Sequence, residues 1–170
     1  MIETPRLVLL PATVQTLRAE KRRDHATLAS LLSVALPPIW PPDLYDDDAV
    51  SWSLRELEEN PDRGPWRTYY FILRQGRALI GAGGYVSGPG EKGEVELGYS
   101  VLQAHQRQGY ASEAVAAMVV RAFEEAAVNA VIAHTYPDLI ASIGVLEKCG
   151  FCFDGGGEQE GVVRYRRVRG

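Results

Sequence analysis

Residues 94–126 constrain the fold of this chain more than any other segment, because they combine a strand, a tight loop and a helix in that order. In Glu94–Val101, polar or small residues alternate with apolar ones, which is typical of a strand with one buried face. After the loop, apolar residues recur at helical spacing from Ala111 to Ala126. Gly109 has no Cβ, and the start of a helix leaves backbone N–H groups without intrahelical partners. The segment therefore predicts a binding site for an anion such as a phosphate group.

Length and charge exclude several classes of protein. The chain has 170 residues, 46% of them apolar and 24% charged, which suits one globular domain over residues 1–170. Its net charge of −4 and pI near 5.4 argue against a general nucleic-acid binder and leave a basic peptide or an amine as a partner. The first residues lack a charged segment followed by an apolar core, and no apolar run approaches membrane-spanning length, so neither a leader peptide nor a membrane span is expected. We expect a cytoplasmic protein with no membrane partner.

The remaining sequence predicts strands as hairpins in the first half and strands alternating with helices in the second. A helix is expected after Pro11, a second one reaches about Asn60 behind aspartate caps at 46–48, and a third begins at Asp138 or Ser142 and ends before Gly150. Strands are predicted at residues 6–10, 69–74, 79–86, 94–101, 131–134 and 162–168. This order indicates an α+β or mixed α/β domain with a mixed sheet.

Three motifs carry a resemblance to a known family. They are residues 96–99 (Glu-Leu-Gly-Tyr), 109–114 (Gly-Tyr-Ala-Ser-Glu-Ala) and 141–151, in order and at family spacing. The chain resembles the ribosomal-protein N-acetyltransferase branch of the GNAT superfamily, and residues 3–9 are similar to that branch as well. The resemblance implies a V-shaped mixed sheet of about seven strands flanked by about four helices. It also implies that acyl-CoA inserts between the splayed fourth and fifth strands, with the acyl acceptor on the opposite side.

The same resemblance assigns the residues that bind acetyl-CoA. The implied contacts, around the loop and at the end of the preceding strand, are Val101, Gln106, Arg107, Gln108, Gly109, Tyr110, Ala111 and Ser112. A main-chain N–H near Val101 or Leu102 is expected to stabilise the thioester oxygen. The chain departs from the family pattern at four positions, where Gln103, Arg107, Leu139 and Leu146 replace a proline, a glycine, an asparagine and a tyrosine. These changes leave two questions open: how tightly the cofactor binds, and which group protonates the leaving thiolate.

Two residues are candidates for catalysis. Glu96 resembles the family's glutamate near the reacting centre, and we expect it to act as general base through water; the alternative is a solvated strand face, the reading favoured for Glu94. Ser142 matches a serine of this branch and either donates toward the thiolate or caps a helix. Gly98 is expected to leave room for the reactants. Tyr99, Tyr136 and Tyr165 are expected to be packing aromatics with surface hydroxyls.

Other chemistry-bearing residues have simpler interpretations. Cys149 and Cys152 lack further ligands at metal spacing, so we expect packing residues and no metal site. Residues 88–93 match the glycine pattern of a dinucleotide-binding loop. They precede a strand and not a helix, so the helix N-terminus that binds the phosphates in such a loop is missing. The three histidines, His25, His105 and His134, are expected to be structural, with His105 flanking the loop.

The acceptor is expected to contact residues 37–66. One interpretation of this segment is an aromatic, acidic entrance for a cation, formed by Trp40, Tyr45 and the aspartates at 43 and 46–48. The alternative is a capped helix that follows a proline-rich connector.

The sequence thus favours an acetyl-CoA-dependent N-acetyltransferase. It would transfer the acetyl group to a primary amine, on a peptide N-terminus or a small molecule, by direct attack in a ternary complex. Two alternatives stay open: a non-catalytic acyl-CoA-binding or regulatory module with a degenerate site, and a protein that binds a different phosphate ligand. Both a monomer and a homodimer are compatible with the sequence.

Overall fold

One mixed sheet carries the fold. The computed structural model describes residues 1–86, 88–157 and 159–170, and within them the chain forms eight strands and five α-helices. The strands are β1 (Ile2–Glu3), β2 (Leu7–Pro11), β3 (Thr68–Leu73), β4 (Leu79–Tyr85), β5 (Glu94–Val101), β6 (Ala130–Thr135), β7 (Cys152–Gly156) and β8 (Val163–Val168). The helices are α1 (Val14–Lys21), α2 (His25–Leu32), α3 (Asp47–Glu59), α4 (Tyr110–Phe123) and α5 (Ile140–Lys148).

The strand order is β1-β2-β3-β4-β5-β6-β8-β7, and β5 and β6 form its parallel pair. Their pairing runs from Glu94↔Ala130 to Glu96↔Ile132. On its other edge, β5 stays paired with β4 as far as Val101. The two parallel strands therefore separate after Glu96, which confirms the V-shaped mixed sheet that the family resemblance implied.

The structure has more elements than predicted, for local reasons. The strand β1 has two residues, too few to show any periodicity in the sequence. The helix expected after Pro11 is divided into α1 and α2, because Arg23 takes a left-handed backbone conformation (φ 54°). Asp24 then caps the new helix by accepting a hydrogen bond from the Thr27 N–H at 3.0 Å.

Helices cover the two faces of the sheet separately. The helices α4 and α5 pack on the face that carries Val95, Leu97 and Val101 of β5. The helices α1, α2 and α3 pack on the other face, over β2, β3 and β4. Ser100 lies opposite Ala82 of this second face, so the polar residues of β5 point to the same side as α1–α3. The alternation predicted for this strand is confirmed.

A buried carboxylate anchors the segment between α2 and α3. Glu20, 7% exposed, accepts hydrogen bonds from Trp40 Nε1 at 2.9 Å, Tyr45 Oη at 3.2 Å and Tyr70 Oη at 2.6 Å. Burial raises the pKa of Glu20 above its ordinary value, although the three hydrogen bonds oppose the shift. Trp40 and Tyr45 are thus core residues, and the aromatic entrance considered for the acceptor is not formed by them.

The helix α3 begins as the sequence predicted. Asp46 is its N-cap and accepts from the Ala49 N–H at 3.0 Å, while Asp47 pairs with Arg23 at 2.9 Å. These contacts favour the capped-helix interpretation of the aspartates over the acidic entrance. Within the described part of the chain, none of the helices is both long and apolar enough to span a bilayer.

Candidate active site

The loop between β5 and α4 presents a row of backbone N–H groups. Arg107 (φ 59°) and Gly109 (φ 82°) have left-handed conformations, and Gly109 is the N-cap of α4. Among the residues that the structure describes, no protein group accepts a hydrogen bond from the N–H groups of residues 107–112, which we call the loop amides. Successive N–H groups in such a turn form an anion-binding concavity, and the dipole of α4 adds partial positive charge.

Two glutamines brace this loop, one against the end of β5 and one within the loop itself. Gln106 Nε2 donates to the Val101 carbonyl at 3.0 Å, and Gln108 Nε2 donates to the Ala104 carbonyl at 3.1 Å. Both side-chain amides, predicted as cofactor contacts, therefore donate into the protein. Arg107 is exposed beside them, and Tyr110, Ala111 and Ser112 form the first turn of α4.

Sequence reasoning missed a contact from the first hairpin to this loop. Arg6 Nε pairs with Glu113 at 2.6 Å and Nη1 donates to the Gln108 carbonyl at 2.9 Å, with the guanidinium 4.5 Å from the Tyr110 ring centre. Burial opposes ionisation of Glu113, but hydrogen bonds from Thr4 and Arg6 outweigh it and lower its pKa. The similarity of residues 3–9 to the family was the available signal for this role.

The loop at Gly109 and the side chain of Arg6 form a cradle with the properties of an anion site. A Cβ on Gly109 would lie 3.3 Å from Arg6 Nη2, so the guanidinium and the bare main chain face each other across a narrow space. Within the described ranges Nη2 has no protein acceptor. The loop amides and Arg6 together therefore offer hydrogen-bond donors and positive charge of the kind that phosphate oxygens require.

The gap between β5 and β6 opens beside a suitable oxyanion donor. The Leu102 N–H bonds the Ile80 carbonyl at 2.9 Å on the β4 side. Because successive N–H groups of a strand alternate between its edges, the Val101 N–H points toward the gap. Of the two candidates that the sequence suggested, Leu102 is therefore excluded by its own hydrogen bond.

A tyrosine and a serine meet across this gap. Tyr99 Oη lies 3.2 Å from Ser142 Oγ and donates to the Ser142 carbonyl at 3.1 Å. Desolvation by burial raises the pKa of Tyr99 to about 12. Tyr99 is half-buried and its hydroxyl bonds to Ser142, which the expectation of a packing aromatic with a surface hydroxyl did not include. Ser142 does not cap α5, since the N-cap is Leu139 and α5 begins at Ile140.

The position of the family's tyrosine holds Leu146, which is fully buried and cannot reach a ligand in the gap. Leu139, which replaces the asparagine, makes no side-chain cap hydrogen bond.

Glu96 lies at the vertex of the V with an unexpected partner. Its Oε1 is 2.8 Å from His134 Nδ1 on β6, and the two side chains are 31% and 24% exposed. Glu94 differs, because it receives Arg164 Nη2 and Arg166 Nε, each at 2.9 Å. The structural role favoured for Glu94 is therefore supported, while the expectation of a purely structural His134 missed this pairing of a carboxylate and an imidazole.

The face of β5 opposite α4 and α5 is open beside Glu96. A Cβ built on Gly98 would have no atom of the described residues within 4 Å. Ser100 Oγ, further along the strand, donates to the Asp43 carbonyl and ties the segment between α2 and α3 to β5. The sequence led us to predict room for the reactants at Gly98, and the structure has an open space at this position.

The remaining candidates take structural positions. Cys149 is buried and its Sγ donates to the Ser112 carbonyl at 3.3 Å, whereas Cys152 is exposed, so only Cys149 is a packing residue. His105 lies beside the loop, with its ring 6.3 Å from that of Tyr110. In residues 1–86, 88–157 and 159–170, no cluster of three His, Cys, Asp or Glu side chains is placed to hold a metal ion.

Comparison with known proteins identifies the family. The model of the family described as acetyltransferase (GNAT) domain matches residues 15–152. The chain therefore belongs to the GNAT family and is an acetyl-CoA-dependent acyltransferase. Over 152 residues it is 26% identical to the protein named Uncharacterized N-acetyltransferase YjdG of Bacillus subtilis strain 168, covering 89% of each chain.

Solved structures share the fold. The ribosomal L7/L12 alpha-N-protein acetyltransferase RimL, in complex with coenzyme A, superposes with a TM-score of 0.69 at 17% identity, over 97% of this chain and 95% of that one. Spermidine N-acetyltransferase from Vibrio cholerae superposes with a TM-score of 0.65 at 14% identity, over 97% and 95%. The expected fold class and the suspected family are thus confirmed.

Proposed function

We propose that the protein transfers an acetyl group from acetyl-CoA to the nitrogen of a primary amine, with both substrates bound together. The observation that carries this proposal is the row of loop amides at the end of β5, beside the gap where β5 leaves β6. An anion site and a slot for an extended chain in one place suit a diphosphate joined to a pantetheine arm. RimL, of the same fold, has been solved with coenzyme A.

In this proposal the cofactor's diphosphate accepts hydrogen bonds from the loop amides. Arg6 Nη2 and the exposed Arg107 add positive charge beside it. Leu139 and Leu146 cannot supply the hydrogen bond and the acid that other family members place along the pantetheine arm. The affinity for coenzyme A therefore depends on the loop amides rather than on α5.

The amine approaches over Gly98, on the face that also carries Glu96. A protonated alkyl amine has no lone pair, because its ordinary pKa is about 10. Glu96 receives the proton, directly or through water, and the neutral nitrogen then forms a bond to the thioester carbonyl carbon. The C–S bond breaks, so an ammonium ion and acetyl-CoA become an amide, free thiol and one released proton.

Charge that develops on the thioester oxygen needs a fixed donor, and the Val101 N–H points into the gap. The leaving sulfur needs a hydrogen-bond donor, and Ser142 Oγ, supported by Tyr99, is placed on the wall of the same gap. A free thiol has an ordinary pKa of about 8.5, so a hydrogen bond from a hydroxyl is enough to assist its departure.

The proposal is tested by measuring thiol release from acetyl-CoA across alkylamines, polyamines and peptides with free N-termini. We expect turnover with at least one amine and a loss of about 100-fold or more in Glu96→Gln, the usual size of a general-base effect. Glu91→Gln, at an exposed position outside the site, is the matched control.

A non-catalytic acyl-CoA module would instead bind coenzyme A tightly without turning over any amine. A protein for another phosphate ligand would show thermal stabilisation by nucleotides equal to that by coenzyme A. Either result would overturn the proposed activity.

A further inference from the structure

We propose that the group that takes the acceptor's proton is the Glu96–His134 pair, with the proton coming to rest on the imidazole. This inference rests on the proposed N-acetyl transfer and assigns His134 a part in the reaction. Its basis is the 2.8 Å contact between Glu96 Oε1 and His134 Nδ1. Both side chains are partly open to solvent, so the pair is accessible to an acceptor.

The pair bridges the two arms of the V. Glu96 belongs to the last paired position of β5 and β6, opposite Ile132, and His134 lies two residues further along β6. His134 therefore stands at the point where the strands begin to separate. Glu96 and His134 share one face of the sheet, which is the face that Gly98 leaves open toward the proposed acceptor.

Gly157, which follows β7, lies beside the imidazole ring of His134. A Cβ on Gly157 would lie 3.0 Å from His134 Cδ2 and 2.9 Å from Val162 Cγ1. The Gly157 N–H also donates to the Val162 carbonyl at 2.8 Å, which ties Gly157 to Val162. The ring thus lies with Nδ1 toward the Glu96 carboxylate and with Cδ2 toward Gly157, where any side chain would crowd it.

Two routes of proton transfer lead to the same product. If Glu96 accepts the proton, it can pass it to Nδ1; if the Nδ1–H already faces the carboxylate, Nε2 accepts it directly. Either way the result is an imidazolium paired with a carboxylate, a charge-assisted hydrogen bond that neither group could form alone. A carboxylate that orients an imidazole recurs in enzymes in which the imidazole takes up a proton.

The charges around the pair are balanced. The groups that face His134 and Glu96 from the packed strands are Glu94 of β5, Asp154 of β7, and Arg164 and Arg166 of β8. Arg164 and Arg166 both bond Glu94, and Arg164 also lies 3.3 Å from Asp154. These two cations and two anions cancel, so the neighbouring network leaves Glu96 as the carboxylate available to His134.

The decisive variant is His134→Asn. The asparagine amide keeps a donor near the position of Nδ1 and can hold Glu96, but it cannot accept a proton. With an alkylamine acceptor at pH 7 we expect kcat/KM to fall about 100-fold. With an alkoxyamine, which is already neutral at that pH, we expect a much smaller loss. The KM for acetyl-CoA should not change, and free imidazole should restore part of the activity of His134→Ala.

The pH profile separates proton transfer from positioning. If the imidazole takes the proton, the acid limb of kcat/KM for the alkylamine should move in His134→Asn, whereas a ring that only positions Glu96 would leave it in place. If His134→Asn matches the wild type in rate and profile, the imidazole takes no proton and this inference is wrong while the transferase stands. If the wild type acetylates no amine in the panel, both proposals are overturned.

A second pair of variants leaves Glu96 and His134 in place. Gly157→Ala places a methyl group against the imidazole, whereas Gly156→Ala adds one where the described residues leave the space empty. We expect a clear loss of kcat in the first and none in the second, with both proteins folded by circular dichroism. Equal activity in the two would show that the position of the ring does not matter, which would also overturn the inference.

Discussion

The substitution Gly109→Ala tests the anion site most directly. Gly109 has φ 82°, a conformation that costs an L-residue about 1–2 kcal/mol. The new methyl group would also lie 3.3 Å from Arg6 Nη2, in the space between the guanidinium and the loop amides. The substitution therefore has two separable effects, one on the stability of the fold and one on the binding of the diphosphate.

The size of each effect follows from the structure. For a chain of this length, about 1–2 kcal/mol lowers the melting temperature by roughly 2–8 °C. Turning one loop amide away from a phosphate oxygen loses a hydrogen bond to a charged group, about 1.5–3 kcal/mol. The Kd for coenzyme A should then rise roughly 10- to 150-fold, measured by isothermal titration calorimetry.

Gly161→Ala is the matched control. Gly161 has φ 80°, and in the described part of the chain no atom lies within 4 Å of the Cβ that it would gain. It should lose a similar amount of stability and keep its affinity for coenzyme A. Unchanged coenzyme A affinity in Gly109→Ala, or an equal loss of affinity in the two variants, would refute the assignment of the diphosphate to the loop amides.

Other predictions concern the gap, the acceptor face, the buried carboxylate of Glu20 and the half-buried carboxylate of Glu113. Gly98→Val should fill the open space over β5 and reduce amine turnover at least about 10-fold through lost contact with the acceptor, while calorimetry shows unchanged coenzyme A binding. Ser142→Ala should lower kcat roughly 10- to 150-fold by removing one hydrogen bond to the leaving sulfur, and an unaltered kcat would exclude that role. Burial raises the pKa of Glu20, so the folded protein holds this proton more strongly than the unfolded chain. The free energy of unfolding of the wild type, relative to that of Glu20→Gln, should therefore fall as the pH rises above 4.5. Urea unfolding at a series of pH values measures this difference. The pKa of Glu113 is lowered, so the ionised carboxylate should add to the free energy of unfolding above pH 4.5. This addition should disappear as the pH falls below 4.5, and Glu113→Gln should show no such change.

Much of the fold could be predicted because local signals agreed with the final packing. The alternation in Glu94–Val101, the apolar spacing of α4 and the glycine after α5 each fixed an element on its own. The break between α1 and α2 was missed because a left-handed arginine has no distinctive sequence signature. The two interpretations of Trp40 and Tyr45 stayed open because the sequence does not reveal that both would bond to the buried Glu20.

The site was predictable where it depends on one segment and hidden where it depends on several. The anion loop follows from residues 101–112 alone. The Arg6–Glu113 contact joins residues 107 positions apart, and the Glu96–His134 contact joins residues 38 apart on strands whose register the sequence does not specify. Ser142 was found through its family motif, but its Tyr99 partner lies 43 positions away on β5, and the sequence does not specify that the two meet.

The short pairing of β5 with β6 has a consequence for the whole molecule. Three aligned positions, from Glu94 to Glu96, join the first five strands to the last three, so most of the backbone along that side of β5 stays without a neighbouring strand. An unpaired strand of this kind invites a foreign peptide to add to it. A pantetheine arm bound there would fill the gap and contact both parts of the sheet. The acetyl donor would therefore also stabilise the fold by connecting these two parts. Hydrogen exchange along the far end of β5 should slow more than elsewhere when coenzyme A is added.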